Sequence, residues 1–278
     1  MSQRYDFEGD KRMTKTISIT SGKGGVGKTT LVCNIAQQYA KEGKKVLILD
    51  GDLRMANVDI FFGKRHTKNI LQVIQGEEQL SDAMIQVHPN IHLISGGSGL
   101  KEMQKMNDGQ RQLLMDQVNQ LPIHFDYFII DTAPGIDDNV LYLNSAVQER
   151  NIVITPDPAS LTDSYALIKV LHKTCRINRF SIISNFVRDD QEGLLLYKKL
   201  SDVCDQFLNV SLDFKGSVPL DLSLRRATKM QQLVVTSAPH CPSSLGIKRI
   251  AKSINNFNDI DVSYGGISFF WNHILGVA

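Results

Sequence analysis

Along the chain, short runs rich in apolar and β-branched residues alternate with longer stretches whose apolar residues recur every three or four positions. Thr16–Thr20, Lys45–Asp50, Ile91–Ser95, Asp126–Asp131, Asn151–Thr155 and Phe180–Ser184 belong to the first kind and predict strands. Several are continuously apolar, as strands are when helices cover both faces of a parallel sheet. Lys28–Lys41, Gly109–Leu121, Val140–Val147 and Glu192–Leu208 predict helices. So does a stretch that opens near Ser160 and runs through Asp163–Cys175. The alternation implies right-handed crossovers and an α/β fold, a mostly parallel sheet with helices on both faces. There is no internal repeat. The composition shifts late, at Asn255–Asp259, where a polar stretch leads through Gly265 and Gly266 to an apolar tail. There, Ile267, Phe270, Trp271, Ile274, Leu275 and Ala278 fall on one helix face, and the segment would reach about 18 Å, too short to cross a bilayer.

Composition narrows the class. With 278 residues, 42% of them hydrophobic, the chain can fill a sizeable core without disulfide or metal support. The 31 Lys and Arg nearly balance 29 Asp and Glu, and the formal charge of +2 argues against a non-specific nucleic-acid coat. Met1–Lys15 mixes both charge signs with no apolar run behind it, so no secretory signal is expected. The four cysteines, Cys33, Cys175, Cys204 and Cys241, form no CxxC pair, and the seven histidines share no metal-ligand spacing. These features predict a cytoplasmic protein with reduced thiols.

The chemistry is concentrated at Ser21–Thr30, SGKGGVGKTT, between a predicted strand and a predicted helix. Gly22, Gly27, Lys28 and Thr29 satisfy GxxxxGK[ST]. Glycines at Gly22, Gly24, Gly25 and Gly27 let backbone N–H groups, including those of Lys23, Val26 and Thr30, converge on phosphate oxygens at a helix N-terminus. Lys28 reaches the β- and γ-phosphates, and the Thr29 hydroxyl suits Mg²⁺. Tyr127–Asp131 is an apolar strand ending in a carboxylate, which places Asp131 beside the same metal, through water. Thr132-Ala133-Pro134-Gly135 then forms a turn able to sense a γ-phosphate. Lys45–Asp50 ends at the same edge of the sheet, followed by Gly51 and Asp52.

KGGVGKTT, with Lys23 added to the ordinary motif, resembles the deviant Walker A element of the MinD/ParA group within the SIMIBI P-loop NTPases. The likeness continues through Asp50-Gly51-Asp52-Leu53-Arg54 with Asn57 and Asp59 (switch I) and through Asp131–Gly135 (switch II). Asn185, after the strand Ser181–Ser184, stands at the group's adenine-reading asparagine, and Val218-Pro219-Leu220-Asp221 resembles its base-packing loop. Residues 14–255 are covered. Pro156–Lys169 and Gly96–Leu100 resemble the FlhG branch (also FleN or YlxH), which governs flagellar number and placement. Met1–Lys15 departs from that branch in lacking the DQAxxLR motif that stimulates the GTPase FlhF.

This resemblance implies an ATPase over 14–257, preceded by a tail (1–13) and followed by a linker and amphipathic helix (258–278). ATP or ADP would be held by Gly22–Thr30, with Asn185, Pro219 and Asp221 at the base, and Mg²⁺ by Thr29 and Asp131. Two ATP-bound subunits would form a homodimer in which Lys23 serves the partner's nucleotide, Lys28 acts in cis and Asp52 positions or deprotonates the attacking water. Implied partners are FlhF, a flagellar transcription activator or C-ring proteins, with no direct nucleic acid. The tail face of Ile267, Phe270, Trp271, Ile274 and Leu275 would dock on the protein without ATP and meet the inner face of the cytoplasmic membrane in the dimer, with the cell pole one implied location. No Lys or Arg flanks it, a departure from the usual basic form. A ParA-like DNA-segregation ATPase and a MinD-like division-site ATPase are the alternatives. An iron–sulfur carrier of the same superfamily fits poorly, because no cysteine falls in either switch.

Overall fold

The computed structural model describes residues 14–52, 58–64, 68–97, 99–103, 105–255 and 266–276. The predicted N-terminal tail (1–13), the switch I positions Leu53, Arg54 and Asn57, Ser98, the linker with its 257/258 boundary, and Ala278 lie outside the described residues.

Eight strands form one sheet: β1 (Lys15–Thr20), β2 (Val46–Gly51), β3 (Met84–His88), β4 (Ile91–Ser95), β5 (Tyr127–Thr132), β6 (Glu149–Ile154), β7 (Arg179–Val187) and β8 (Ser211–Pro219). Their order is β3-β4-β2-β5-β1-β6-β7-β8, parallel except for β3. The helices α1 (Lys28–Lys41), α2 (Val58–Phe61), α3 (Ile70–Ile74), α4 (Leu80–Ala83), α5 (Gly99–Met103), α6 (Asp108–Asn119) and α7 (Asp138–Ser145) precede β6. After it come α8 (Pro158–Cys175), α9 (Asp190–Phe207), α10 (Leu222–Lys229), α11 (Val234–Ser237), α12 (Pro242–Asn255) and α13 (Ile267–Leu275).

The apolar strand runs are buried on both faces, as a doubly covered parallel sheet requires. One face packs on α1, α11 and α12 through Ile17, Ile19, Ile35 and Ile250. The other carries two clusters, one under α6 and α13 around Phe128, and one under α8 and α9 around Ile152 and Ile182.

Two strands escape the apolar-run reading. In β3 and β8, apolar residues alternate with polar ones such as Gln86 and Asp213, because edge strands have no second neighbour and lie partly open. Pro219 at the end of β8 is tolerated for the same reason. The helix predicted over Asp163–Cys175 begins earlier: the Asp157 side chain accepts the Ala159 N–H at 2.9 Å, and Pro158 occupies the first turn.

The tail is a docked helix. Phe270, Trp271, Ile274 and Leu275 are buried and Ile267 half-buried, with Phe128 edge-on to Phe270 at 4.8 Å and 6.4 Å from Trp271. The face expected to meet lipid is therefore spent on the protein core in this structure. Among the described residues no helix is long and apolar enough to cross a membrane.

Candidate functional site

The strand order gathers the motifs. β1 feeds the glycine loop, β5 lies on one side of it and β6 on the other, and β2 is next beyond β5. Asp50 and Asp131 are paired across β2 and β5, and Ile19 is paired with Asp131 across β1 and β5. Both carboxylates thus lie at the strand ends that face the glycine loop, where open α/β sheets bind ligands.

Glycine is required at two points in the loop. A Cβ on Gly22 would lie 2.2 Å from the Asp163 backbone, so only glycine lets α8 pack there. Gly27 caps α1 at φ +91°, where a Cβ would also strike the Asn185 side chain at 2.5 Å. Beyond the loop lies a cavity of about 550 Å³ lined by Gly24, Gly25, Lys28, Thr29, Asp52 and Thr132, among others.

Lys28 is buried, and its ammonium donates to Ser21 Oγ at 3.0 Å. Burial pulls its pKa below the ordinary lysine value, while the charges of Asp131 and Asp52 work the other way. Asp131 is buried with Oδ2 accepting from the Thr29 hydroxyl at 2.6 Å and Oδ1 without a hydrogen-bond partner. Burial, then the neighbouring Asp50, push its pKa up to about 7, against the Thr29 hydrogen bond and Lys28. A buried carboxylate with an orphaned oxygen beside a hydroxyl and an ammonium is costly unless a cation joins it, so this donor set fits Mg²⁺. Asp50 accepts the N–H groups of Asp52 (3.2 Å) and Val58 (3.2 Å), and Asp52 lies on the cavity wall. On the opposite wall the Gly135 N–H donates to the Ser21 carbonyl at 2.9 Å, holding the Thr132–Gly135 turn to the glycine loop.

Lys23 is absent from the cavity wall. Its ammonium pairs with the Asp157 carboxylate at the N-terminus of α8.

Asn185 is buried at the end of β7, and its Nδ2 donates to the Val26 carbonyl at 2.7 Å. That bond fixes the amide orientation and leaves buried Oδ1 without a partner. An orphaned acceptor suits an exocyclic amine, as on adenine, and not a carbonyl oxygen. A second cavity, of about 590 Å³, adjoins here between Leu220, Leu222, Leu224 and the exposed Arg225, Arg226 and Lys229.

Asp221 borders this groove, but both of its oxygens are committed to protein. Oδ1 accepts the Ser223 N–H (2.7 Å) and Oδ2 the Ser243 N–H (3.1 Å) and hydroxyl (3.0 Å), joining α10 to α12. Partial burial works to raise its pKa, but hydrogen bonds from Ser243, Ser223 and Cys241 outweigh it and hold the carboxyl at about 2. Pro219 does not line the groove; Leu220 and Leu222 take that place. The sequence reading also missed Phe186, which lines both cavities and follows Asn185 directly.

Comparison with known proteins agrees with this geometry. A family model described as "ParA: NUBPL iron-transfer P-loop NTPase" matches residues 12–255. The chain is 34% identical over 267 residues to the antiactivator FleN of Pseudomonas aeruginosa, covering 96% of this chain and 95% of that one. It is also 34% identical over 248 residues to the flagellum site-determining protein YlxH of Helicobacter pylori, covering 88% and 83%. Among solved structures, MinD of Pyrococcus horikoshii complexed with Mg-ADP superposes with a TM-score of 0.68 at 25% identity, covering 88% of this chain and 97% of that one. MinD of Aquifex aeolicus gives 0.67 at 25% identity, covering 87% and 97%. The chain belongs to the ParA/MinD family of ATP-binding P-loop NTPases.

Proposed function

We propose that the protein is an ATP-hydrolysing switch that regulates flagellar number or placement. The observation that carries the enzymatic part is the cluster at the glycine loop, buried Lys28 and Asp131 with half-buried Thr29 bonded to Asp131, and the second Asp131 oxygen left without a partner. The loop N–H groups and Lys28 bind the phosphates, Thr29 and Asp131 hold Mg²⁺, and Asp52 positions or deprotonates the attacking water. Bound Mg²⁺ would neutralise charge on the phosphate oxygens. Burial of Lys28 and Asp131 keeps water from screening these charges.

Lys23 serves the nucleotide of a second subunit. Its direction supports this reading, because it lies off its own phosphate cavity and on an α8 ion pair that a partner nucleotide would displace. The ATP-bound form is then a homodimer, and hydrolysis returns monomers. Docked α13 represents the form released from membrane, and its apolar face becomes available to the inner face of the cytoplasmic membrane in the dimer.

The flagellar role rests on similarity to FleN and YlxH over most of the chain. Partners are then a flagellar transcription activator, FlhF or C-ring proteins, with no direct nucleic acid. Division-site control is the second reading, favoured by likeness to the MinD structures. An affinity capture with Asp52→Ala, which holds ATP, beside Lys28→Ala, which does not, separates the readings. Flagellar proteins enriched only by Asp52→Ala support the proposal. Division or centromere-binding proteins in their place refute the flagellar assignment, and equal capture by both variants refutes a nucleotide switch.

A further inference from the structure

We propose that Phe186 is a nucleoside clamp: its ring packs on the base–ribose part of ATP and holds the nucleotide across the two cavities. The proposal rests on the ATP-binding reading of the cleft and adds to it a residue that neither the phosphate motif nor the base-reading asparagine supplies.

The backbone makes the case. Among the described residues, three that are not glycine have positive φ: Arg176 (56°), Phe186 (58°) and Gln231 (54°). Arg176 caps α8, and Gln231 follows the cap of α10, so helix termination accounts for both. Phe186 stands inside a β-strand, where no such cause exists and where an aromatic residue in the left-handed region is strained.

The strain has a visible product. In a regular strand, Asn185 and Phe186 would point to opposite faces of the sheet. The β7–β8 register shifts between Asn185 and Val187, and a bulge of this kind re-aims a side chain. Both residues consequently reach the glycine loop. A Cβ on Gly27 would lie 2.5 Å from Asn185 Nδ2 and 3.3 Å from Phe186 Cζ.

Phe186 also occupies the passage between the cavities. Among the described residues, only Thr30 and Phe186 line both the phosphate cavity and the groove beside Leu220. A nucleotide with its phosphates in the first and its base in the second must lay its nucleoside against this half-buried ring. Asn185 then reads the edge of the base with Oδ1, and Phe186 covers the nucleoside from the side. Stacking of this kind depends little on base identity, so Phe186 supplies affinity and Asn185 the discrimination.

The test compares equilibrium binding of Mg-ATP and of inorganic tripolyphosphate, a phosphate chain with no nucleoside, to the full-length protein and its variants. Phe186→Ala is expected to bind ATP about tenfold more weakly and tripolyphosphate as before, whereas Phe186→Tyr stays near wild type. Phe186→Leu keeps an apolar contact with Gly27 but removes the ring, and guards against a folding defect. It too is expected to lose ATP affinity selectively. Phe186→Gly should match Phe186→Ala in binding yet melt about 2 °C higher, because glycine relieves the backbone. Equal losses for ATP and tripolyphosphate, or an unchanged ATP affinity in both Phe186→Ala and Phe186→Leu, overturn the clamp. A wild-type protein that binds ATP no better than tripolyphosphate overturns the ATP reading beneath it as well.

Discussion

Docking of α13 makes a quantitative prediction, because Trp271 is the single tryptophan of the chain and therefore reports on it directly. Four side chains, Phe270, Trp271, Ile274 and Leu275, are at most 1% exposed. Removing them from water is worth roughly 6–12 kcal/mol at 1.5–3 kcal/mol each. Ordering the segment opposes much of this gain. The Trp271 indole N–H is buried without a partner and costs about 1–3 kcal/mol more. The net is a margin of a few kcal/mol. Ile274→Asp removes about 2–3 kcal/mol of burial and adds several kcal/mol for an unpaired carboxylate, which exceeds that margin. The helix should leave its groove while the ATPase core stays folded. Ile274→Val, costing about 0.5–1.5 kcal/mol, should leave it docked. Acrylamide quenching of Trp271 fluorescence measures this. Near-complete protection in wild type and Ile274→Val, with free quenching in Ile274→Asp, is the expected result. A folded Ile274→Asp protein whose tryptophan stays protected refutes the reasoning.

Docking should also depend on pH. Burial, then the Arg150 charge, lowers the His273 pKa from 6.5, so the docked state prefers the neutral ring that contacts Ser145 at 3.0 Å. Undocked His273 takes up a proton first, and docking is complete above about pH 6.5 and weakens below it; Trp271 quenching should follow, and His273→Gln should flatten the profile. Gly22→Ala forces a Cβ against the Asp163 carbonyl at 2.2 Å, so calorimetry should show about 3 kcal/mol of destabilisation and ATP binding should be lost. Chelation of Mg²⁺ by EDTA should weaken ATP binding in wild type but change it little in Asp131→Ala, as read by titration calorimetry. Asn144→Ala strands the buried Ser18 hydroxyl, which donates to it at 2.7 Å, and removes a weaker 3.3 Å donor from Thr20, which keeps its bond from Thr132; it should cost about 2 kcal/mol in thermal unfolding. It should also remove any ATP dependence of Trp271 quenching.

The parallel centre of the sheet is legible because burial on both faces leaves a run of apolar residues, as in Ile129-Ile130 or Ile152-Val153-Ile154. Edge strands carry no such run, so β3 and β8 needed coordinates. The phosphate site was legible for another reason: glycine is the only residue that fits Gly22 and Gly27, and a lysine and a threonine must follow. By contrast, Asp221 could be placed at the base groove but not assigned its task. Its capping of α10 depends on local sequence, whereas its bond to Ser243 joins segments distant along the chain. Phe186 was hidden because a bulge overrides strand alternation, and no pattern of residue types announces the φ that results.

A chain of contacts joins the nucleotide site to the docked tail. Thr132, in the γ-phosphate turn, donates to Thr20 Oγ1 at 2.9 Å, and Thr20 accepts from Asn144 of α7 at 3.3 Å. The next residue of α7, Ser145, bonds His273 of α13 at 3.0 Å. Arg150 donates to the carbonyl of Asn144 at 2.8 Å, so that turn of α7 is held to β6 as well. One short helix is therefore linked to the switch turn, through Thr20, and to the tail by consecutive residues. A rotation of α7 that followed a moved Thr132 would strain the His273 contact. Against a docking margin of a few kcal/mol, the loss of this partly buried hydrogen bond, about 0.5–1.5 kcal/mol, shifts the balance toward release. If the protein is the switch proposed above, the tail would need no signal beyond this chain of contacts.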